Sequence, residues 1–391
     1  MNDRLERFRA YMESFDVTDP RVAIARDFYV PLPESAGVPQ IVARAAIQRG
    51  AAQAVIGGIG FGKTTQLLAA EGELNRVPGI VARYVDVRGK HRLDQPRSGV
   101  LLALAGLELS AILEVDGAHD VKETCAELRR LAEGKWVDPW ERDGDDRPED
   151  TWSPGVLSPP PRPSTEVGAL ASVVRRLGEA LGGRSVVILF DGLDRVPPPA
   201  FAELVRLDQA TLRSLGIGTV VAGSEQLAFG ASRFMLESFD PWHHVAAIDT
   251  ARDSIGRAFL QQVLRRRASS ETLPDESADR VVALSGGIVR DLIALARAAG
   301  AEAYMDGARS ISIKEVESAA DGFGRKRIFG LGAEELSALQ RVRRTGQFVE
   351  TSDADVTLLM TGRLLQYARP HSRFEVHPTL LPLLKILDRA A

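Results

Sequence analysis

Eight consecutive residues constrain this chain more than any others. Gly57-Gly58-Ile59-Gly60-Phe61-Gly62-Lys63-Thr64 satisfies the pattern G-x-x-x-x-G-K-[ST] without a mismatch. The pattern carries chemistry only between a strand and a helix, where the loop can present its backbone N–H groups at the helix start. Both flanks are there. Gln53-Ala54-Val55-Ile56 is a short apolar run ending in glycines, a candidate buried strand, and the spacing of Leu67, Leu68, Glu71 and Leu74 predicts a helix over Lys63–Leu74. Glycines let the backbone adopt positive φ and approach a phosphate closely, and the helix N-terminus adds partial positive charge at the same spot. Gly57, Gly58, Ile59, Gly60, Phe61, Gly62, Lys63, Thr64 and Thr65 are therefore the expected phosphate-binding residues. Lys63 would bridge the β- and γ-phosphates and the Thr64 hydroxyl would ligate magnesium. The expected cofactors are ATP and Mg²⁺; the guanine-reading N-K-x-D pattern is missing, which favours ATP over GTP.

A magnesium shell of this kind needs an acid at the end of a neighbouring strand. Val186-Val187-Ile188-Leu189-Phe190-Asp191 supplies five apolar residues and then a carboxylate, so Asp191 is the second expected metal residue. Further strands are expected at Ile80–Val87, which closes on an acid, at Gly218–Ala222 and at His244–Ile248. Helical patterns fill roughly residues 99–133, Glu166–Leu181, residues 199–214 and the chain after the His244–Ile248 strand to about Phe323. Strands alternating with helices imply an α/β fold: a P-loop NTPase core with a mainly parallel sheet, followed by an all-helical lid.

At 391 residues the chain exceeds one ordinary domain, since about 150 residues per domain is usual. The expected organisation is an N-terminal helical segment over 1–50, the core over 51–250, the lid over 251–328 and a last small domain over 329–391. Forty-nine Lys and Arg against 53 Asp and Glu leave a net charge of −4, so no global basic field draws the chain to nucleic acid. The single cysteine, Cys125, excludes an intramolecular disulfide framework and a Cys-rich zinc site. The charged N-terminus lacks the apolar core of a signal peptide, and the apolar run Gly99–Leu113 carries Glu108 and falls short of the roughly 20 residues that span a bilayer. A buried helix there, no membrane contact and a cytoplasmic location are expected. From 135 to 165 the composition shifts to acids and prolines, with Trp136, Trp140 and Trp152 among them. Pro159, Pro160, Pro161 and Pro163 preclude a helix or central strand, so a surface insertion is expected, with partner docking the alternative.

An apolar strand running into Asp191-Gly192-Leu193-Asp194 resembles the signal-transducing (STAND) branch of the AAA+-related P-loop ATPases. The chain departs from the pattern twice: Gly192 stands where most AAA+ proteins carry the catalytic glutamate, and Arg195 where another acid is usual. Slow turnover is implied, with Asp194 left as the candidate to orient the attacking water. By the same resemblance Ser224, closing the strand Thr219–Ala222, matches sensor 1, and Arg290 in Gly287-Ile288-Val289-Arg290 matches the γ-phosphate-sensing arginine of the lid (sensor 2). A trans-acting arginine would come from Arg206, Arg213 or Arg233. Leu284-Ser285-Gly286-Gly287 matches the start of the ABC-transporter LSGGQ motif, but it lies far downstream of Asp191 instead of shortly before it, so that reading fails.

The last sixty residues read as three helices, two short strands and a helix, resembling the winged-helix domain of origin-recognition-type ATPases. Leu358–Tyr367 reads as a helix with an apolar stripe and Arg373–Pro378 as a wing strand. Eight Lys and Arg against seven Asp and Glu in residues 332–391 make the module nearly neutral, so protein packing competes with DNA binding there. His371 and His377 have no third ligand nearby and make no metal site. The densest basic runs are Arg265-Arg266-Arg267 and Arg325-Lys326-Arg327, the second being the better nucleic-acid candidate. The expected function is an ATP-hydrolysing switch whose nucleotide state repositions lid and winged helix to control a partner protein or self-assembly, in signalling, regulation or antiviral defence. The alternative is a DNA-acting AAA+ ATPase: an initiator, a loader or a transposition regulator. A small-molecule kinase fits poorly with the long helical lid, and a scaffold that hydrolyses little is kept open by Gly192 and Arg195.

Overall fold

The structure, a computed structural model, describes residues 2–16, 20–32, 37–94, 96–136, 152–157, 167–350 and 352–390. Within these, the chain begins with α1 (Asn2–Ser14), α2 (Pro20–Ala25) and α3 (Val38–Ile47), then β1 (Ala52–Gly57), α4 (Lys63–Leu74), β2 (Ile80–Asp86) and α5 (Val87–Lys90). It continues through α6 (Val100–Val115), α7 (Lys122–Glu133), β3 (Gly134–Trp136), β4 (Trp152–Pro154), α8 (Val167–Ala180), β5 (Ser185–Asp191) and α9 (Pro198–Ser214). Next come β6 (Gly218–Ser224), β7 (Trp242–Val245), α10 (Ser254–Arg265), α11 (Asp275–Leu284), α12 (Val289–Met305) and α13 (Ile313–Ile328). The C-terminal part holds α14 (Ala333–Thr345), α15 (Asp353–Met360), β8 (Leu364–Tyr367), β9 (Arg373–Val376) and α16 (Leu381–Ala390).

Contacts divide the chain into two compact units. One comprises Met1–Gly37, Ile56–Gln66 and His244–Ala391; the other comprises Val38–Val55 and Leu67–His243. The dividing points fall at the start of α3 and inside β1, α4 and β7.

The second unit is built on a five-stranded sheet of order β2-β5-β6-β1-β7, in which β2, β5 and β6 pair in parallel. Strands β1 and β6 are buried at every residue and β5 at all but its first. That is why they are continuous apolar runs instead of alternating ones: helices cover both faces of a parallel sheet. Inside the unit, His243 is buried and Gln53 has no exposure, and the two make a 3.1 Å hydrogen bond; Gln53 Nε2 donates to Ile41 O. Burial lowers the imidazole's pKa, so the neutral ring can donate to Gln53 Oε1.

The apolar run expected as a buried helix is α6, with residues 100–105 fully inside. Its first turn has no side-chain cap of its own. Asp208 from α9 does that work: its carboxylate accepts from Gly99 N (2.6 Å), Leu101 N (2.8 Å) and Leu102 N (3.3 Å). No helix among the described residues is long and apolar enough to cross a membrane. Strands β3 and β4 pair antiparallel, Trp136 opposite Trp152. Residues 137–151 and 158–166, with Trp140 and the proline cluster, lie outside the described residues, and so does the reading of that stretch as an insertion or docking segment.

In the first unit α10–α13 share one core with the N-terminal segment. Phe8, Tyr11, Phe15 and Val30 pack with Leu260, Leu264, Leu292, Ala296 and Val316. Tyr11 Oη donates to Ala296 O, and Arg4 donates to the carbonyls of Ala303 and Tyr304 in the last turn of α12, a favourable place for a cation, and to that of Ala308 just beyond it.

The C-terminal module corrects one expectation. Leu358–Tyr367 is not a single helix. Helix α15 stops at Met360, Gly362 turns the chain at φ +65°, and Leu364–Tyr367 is β8, paired antiparallel with β9. The apolar stripe belongs to two elements because Leu358 and Leu359 are buried from the helix while Leu364, Leu365 and Tyr367 are buried from the strand. Two helices, not three, precede the strands in residues 332–391 among the described residues.

Candidate functional site

The loop between β1 and α4 is shaped by close approaches that only glycine tolerates. A Cβ on Gly57 would lie 2.5 Å from Val245 O, and one on Gly58 would lie 2.7 Å from the Phe61 ring, which folds back over it. Gly60 and Gly62 hold φ of +93° and +98°. Ile59, Gly60, Gly62, Thr64 and Thr65 are half-buried, whereas Phe61 and Lys63 are buried. Lys63 Nζ donates to Gly57 O (2.8 Å) and Gly58 O (2.9 Å), so the ammonium is tethered inside the loop that precedes its own helix. Gly62 has open space where a Cβ would stand. Backbone donors, a held ammonium and a helix N-terminus converge there, which is a phosphate cradle in chemical terms.

The same compact unit brings Arg290 onto this loop. Its backbone N donates to Gly60 O (3.1 Å), and a Cβ on Gly60 would sit 2.7 Å from Arg290 Cβ and 3.3 Å from its Nε. The guanidinium-bearing side chain, itself exposed, therefore lies over the loop's middle glycine. Arg290 is aimed by the turn before α12. Gly286 and Gly287 adopt φ of +62° and +78°; a Cβ on Gly287 would lie 1.9 Å from Ile248 O, and one on Gly286 would lie 2.6 Å from Leu365 Cδ1 and 3.0 Å from His377 Cδ2. Tyr367 Oη donates to Gly286 O, and His377 Nε2 reaches Ser285 O at 3.2 Å. His377 is fully buried; burial holds its pKa below the ordinary value, and Nδ1 accepts from Thr379. Beside it, Asp291 pairs with Arg327 where both are mostly buried, and Arg363 donates to Arg327 O. The LSGG look-alike is thus a glycine turn locked by the β8–β9 module.

In the second unit Asp191 ends β5. Tyr84 Oη donates to its Oδ2 (2.9 Å) and Gly192 N to its Oδ1 (2.7 Å), which fixes the carboxylate's orientation. In the parallel register Asp191 stands directly beside Asp86, the last residue of β2. Asp86 and Tyr84 are the residues whose placement the sequence does not reveal. The acid closing that strand is visible in the sequence, but its pairing partner is not. Gly192 turns at φ +85°, and a Cβ there would meet Asp86 Oδ1 at 2.8 Å and Arg88 Cβ at 3.1 Å. Asp194 is half-buried in the following turn and Arg195 is exposed. Ser224 is buried at the end of β6, where its Oγ accepts from Gln226 N (3.1 Å) and caps the short turn Glu225–Ala228. Arg206 and Arg213 are exposed on α9; Arg233 is exposed on the segment Gly230–Ser238, beside Phe234 at 62% exposure.

The two basic runs are mostly spent inside the fold. Arg265 pairs with Asp275, Arg266 with Asp27, and Arg267 donates to Phe28 O and Val263 O while stacking on the Phe28 ring. Burial lowers the Arg267 pKa to about 10, and the guanidinium stays charged at neutral pH. In the second run Arg325 pairs with Asp321 and Arg327 with Asp291. Only Lys326 is left exposed among these six without an ion pair to a described residue.

Thr64 offers a hydroxyl and Asp191 a carboxylate, hard oxygen donors of the kind Mg²⁺ takes while keeping waters and phosphate oxygens. Among the described residues no group of three His, Cys, Asp or Glu forms an all-protein metal cage. Taken singly, each donor has the chemistry that suits magnesium.

Sheet order, the strand–loop–helix start and the acid ending the parallel strand β5 define a P-loop NTPase fold. Compared with solved structures, the chain is similar over 96% of its length to the ORC2 protein of Aeropyrum pernix in ADPNP–ADP complexes, covering 96% of that chain at 14% identity and a TM-score of 0.50. Its fold is thus that of the AAA+ proteins of the origin-recognition type. Cdc6p of Pyrobaculum aerophilum (12% identity, 96% and 97% coverage, TM-score 0.44) and a chain of Drosophila ORC bound to DNA (14%, 97% and 91%, TM-score 0.44) are also similar, but the fold assignment rests on the Aeropyrum protein. No family model matches the sequence, and no curated protein matches it.

Proposed function

We propose that the chain is an ATP-binding and ATP-hydrolysing AAA+ protein that acts on DNA. The observation that carries the nucleotide reading is Arg290 laid over Gly60 of a loop that already holds Lys63, a lid arginine and a phosphate cradle in one compact unit. The likeness to an origin-recognition protein over 96% of both chains favours the DNA-acting reading over the signalling or defence switch. ATP would be held by Gly57 through Thr65, with Lys63 on the β- and γ-phosphates, and Mg²⁺ by Thr64 and Asp191. The magnesium would withdraw charge from the phosphates as the terminal P–O bond breaks. Arg290 would answer to the γ-phosphate, and through the turn at Ser285–Gly287 that answer would reach the β8–β9 module. We read this module, residues 329–391, as a winged helix.

DNA contact through the Arg325 run fits poorly with its internal ion pairs. Arg369 and His371, both exposed in the turn joining β8 and β9, are the better candidates in the module. The test is ATP turnover with and without duplex DNA at low and physiological salt. Stimulation that fades with salt is expected from phosphate contacts. Turnover indifferent to DNA at both salts would favour the second reading, an ATP-driven switch acting on a protein partner or a second copy. The near-neutral module and the paired arginines support that reading.

A further inference from the structure

The turn between α11 and α12 is held from outside itself at three consecutive carbonyls. Ser285 O accepts from His377 Nε2 (3.2 Å), Gly286 O from Tyr367 Oη (3.3 Å) and Gly287 O from Ile248 N (3.2 Å). The first two donors belong to the C-terminal module, Tyr367 at the end of β8 and His377 just past β9. His377 Nδ1 accepts from Thr379 N (3.3 Å), so the neutral ring carries its proton on Nε2, facing Ser285 O. The third donor is tied to the same module. Arg373 donates to the buried Asp249, next to Ile248, and lies over the Tyr367 ring. Just past this turn, Arg290 N donates to Gly60 O (3.1 Å).

Ser285, Gly286, Tyr367 and His377 are all buried, so a carbonyl of the turn deprived of its donor has no water to take instead. The turn would have to move to find another partner. The residue after Arg290 is gripped as well: Asp291 Oδ2 lies 3.4 Å from His377 Nε2 and pairs with Arg327, acid and base both mostly buried. Arg290 is thus bracketed. The module fixes the carbonyls before it and the carboxylate after it, while its own exposed side chain lies over Gly60. The path from Tyr367 and His377 to the phosphate loop is a short, contiguous set of hydrogen bonds inside one compact unit.

We propose that Tyr367 and His377 are positioning residues for ATP hydrolysis: their hydrogen bonds to Gly286 O and Ser285 O set where Arg290 stands over the phosphate loop. The proposal rests on the reading of Arg290 as the arginine that answers to the γ-phosphate. Both residues act through the backbone of the turn. What they supply is alignment, which counts most where charge develops on the γ-phosphate as the terminal P–O bond breaks. Whatever displaces the β8–β9 module therefore slackens the turn and slows hydrolysis from a distance.

The experiment is steady-state ATP hydrolysis and fluorescent-ATP binding by the full chain. It compares wild type with Arg290→Ala, Tyr367→Phe, His377→Leu, His377→Gln and the double variant of Tyr367→Phe with Arg290→Ala. Tyr367→Phe and His377→Leu are expected to lower kcat by about tenfold, short of the roughly 100-fold that a misplacement of about 1 Å can cost. ATP affinity should stay within about threefold, since alignment in the transition state adds little to ground-state binding; the retained affinity also shows that each variant is folded. His377→Gln should keep most of its turnover, because its amide can donate where the imidazole Nε2 does. In the Arg290→Ala background Tyr367→Phe should cost nothing further, as no arginine is left to align. An equal loss from Tyr367→Phe in both backgrounds, or equal losses in His377→Leu and His377→Gln, would overturn the proposal and leave both residues structural. Wild-type kcat in Tyr367→Phe and His377→Leu beside a slow Arg290→Ala would overturn it too, with the reading of Arg290 intact. Wild-type turnover in Arg290→Ala, or a wild type that binds ATP without hydrolysing it, would overturn that reading and this proposal with it.

Discussion

Asp208 shows what a single buried charge does to this fold. It is fully inside, and burial pushes its carboxyl up to about 6, the backbone hydrogen bonds from Gly99, Leu102 and Leu101 pulling it only part of the way back. The unfolded carboxyl titrates near its ordinary value of 3.8, so between those values the folded chain holds the proton more tightly. The stabilisation is therefore complete below about pH 4 and is lost as pH rises through about 6. His243 and His377 act in the opposite sense. Burial lowers both imidazoles, so their contribution is complete above about pH 6.5 and is lost as pH falls below it. Urea unfolding of wild type and Asp208→Asn across pH 4–6 should show the wild type losing stability relative to the variant as pH rises; a difference independent of pH would remove the buried charge from the account. Single residues were also where the sequence was most and least informative. Lys63 and Asp191 are legible because each has a fixed place relative to an apolar strand. Asp86 is not, because its meaning comes from the strand it lies beside, and register between distant strands leaves no local pattern.

At the scale of elements, the turn before α12 joins the loop-facing arginine to the C-terminal module. Gly287 and Gly346 both hold left-handed φ, +78° and +66°, but a Cβ on Gly346 would meet nothing within 4 Å, whereas one on Gly287 would strike Ile248 O. Gly346→Ala should cost about 1–2 kcal/mol, the ordinary left-handed penalty, and Gly287→Ala clearly more. Equal losses in denaturant unfolding would mean that the turn is not clamped. Arg290→Ala should leave ATP affinity within a fewfold and slow hydrolysis, because the arginine is expected to act on the γ-phosphate late in the reaction. Wild-type turnover in that variant would make Arg290 a surface residue. Helix α4 and strands β5 and β6 were readable because buried parallel strands and their following helices carry unbroken apolar patterns. Leu358–Tyr367 was misleading for a related reason: a short helix and a short buried strand, separated by one left-handed glycine, add up to what reads as one helical stripe.

Across the whole molecule, net charge describes the partners less well than the disposition of individual cations does. The two arginine-rich runs stand out in the sequence, yet five of their six side chains are engaged with acids, carbonyls or a ring of the same chain. A DNA contact would have to use cations that are scattered in sequence and exposed in the fold. What is common to the DNA-acting and switch readings is the nucleotide: both require that ATP is bound through Lys63 and hydrolysed with Asp191. The most direct test is magnesium-dependent ATP hydrolysis by wild type, Lys63→Ala and Asp191→Ala, with ATP binding followed in parallel. The account predicts slow, magnesium-dependent turnover in the wild type, loss of tight binding in Lys63→Ala, and binding without turnover in Asp191→Ala. Turnover that persists unchanged in either variant would contradict it.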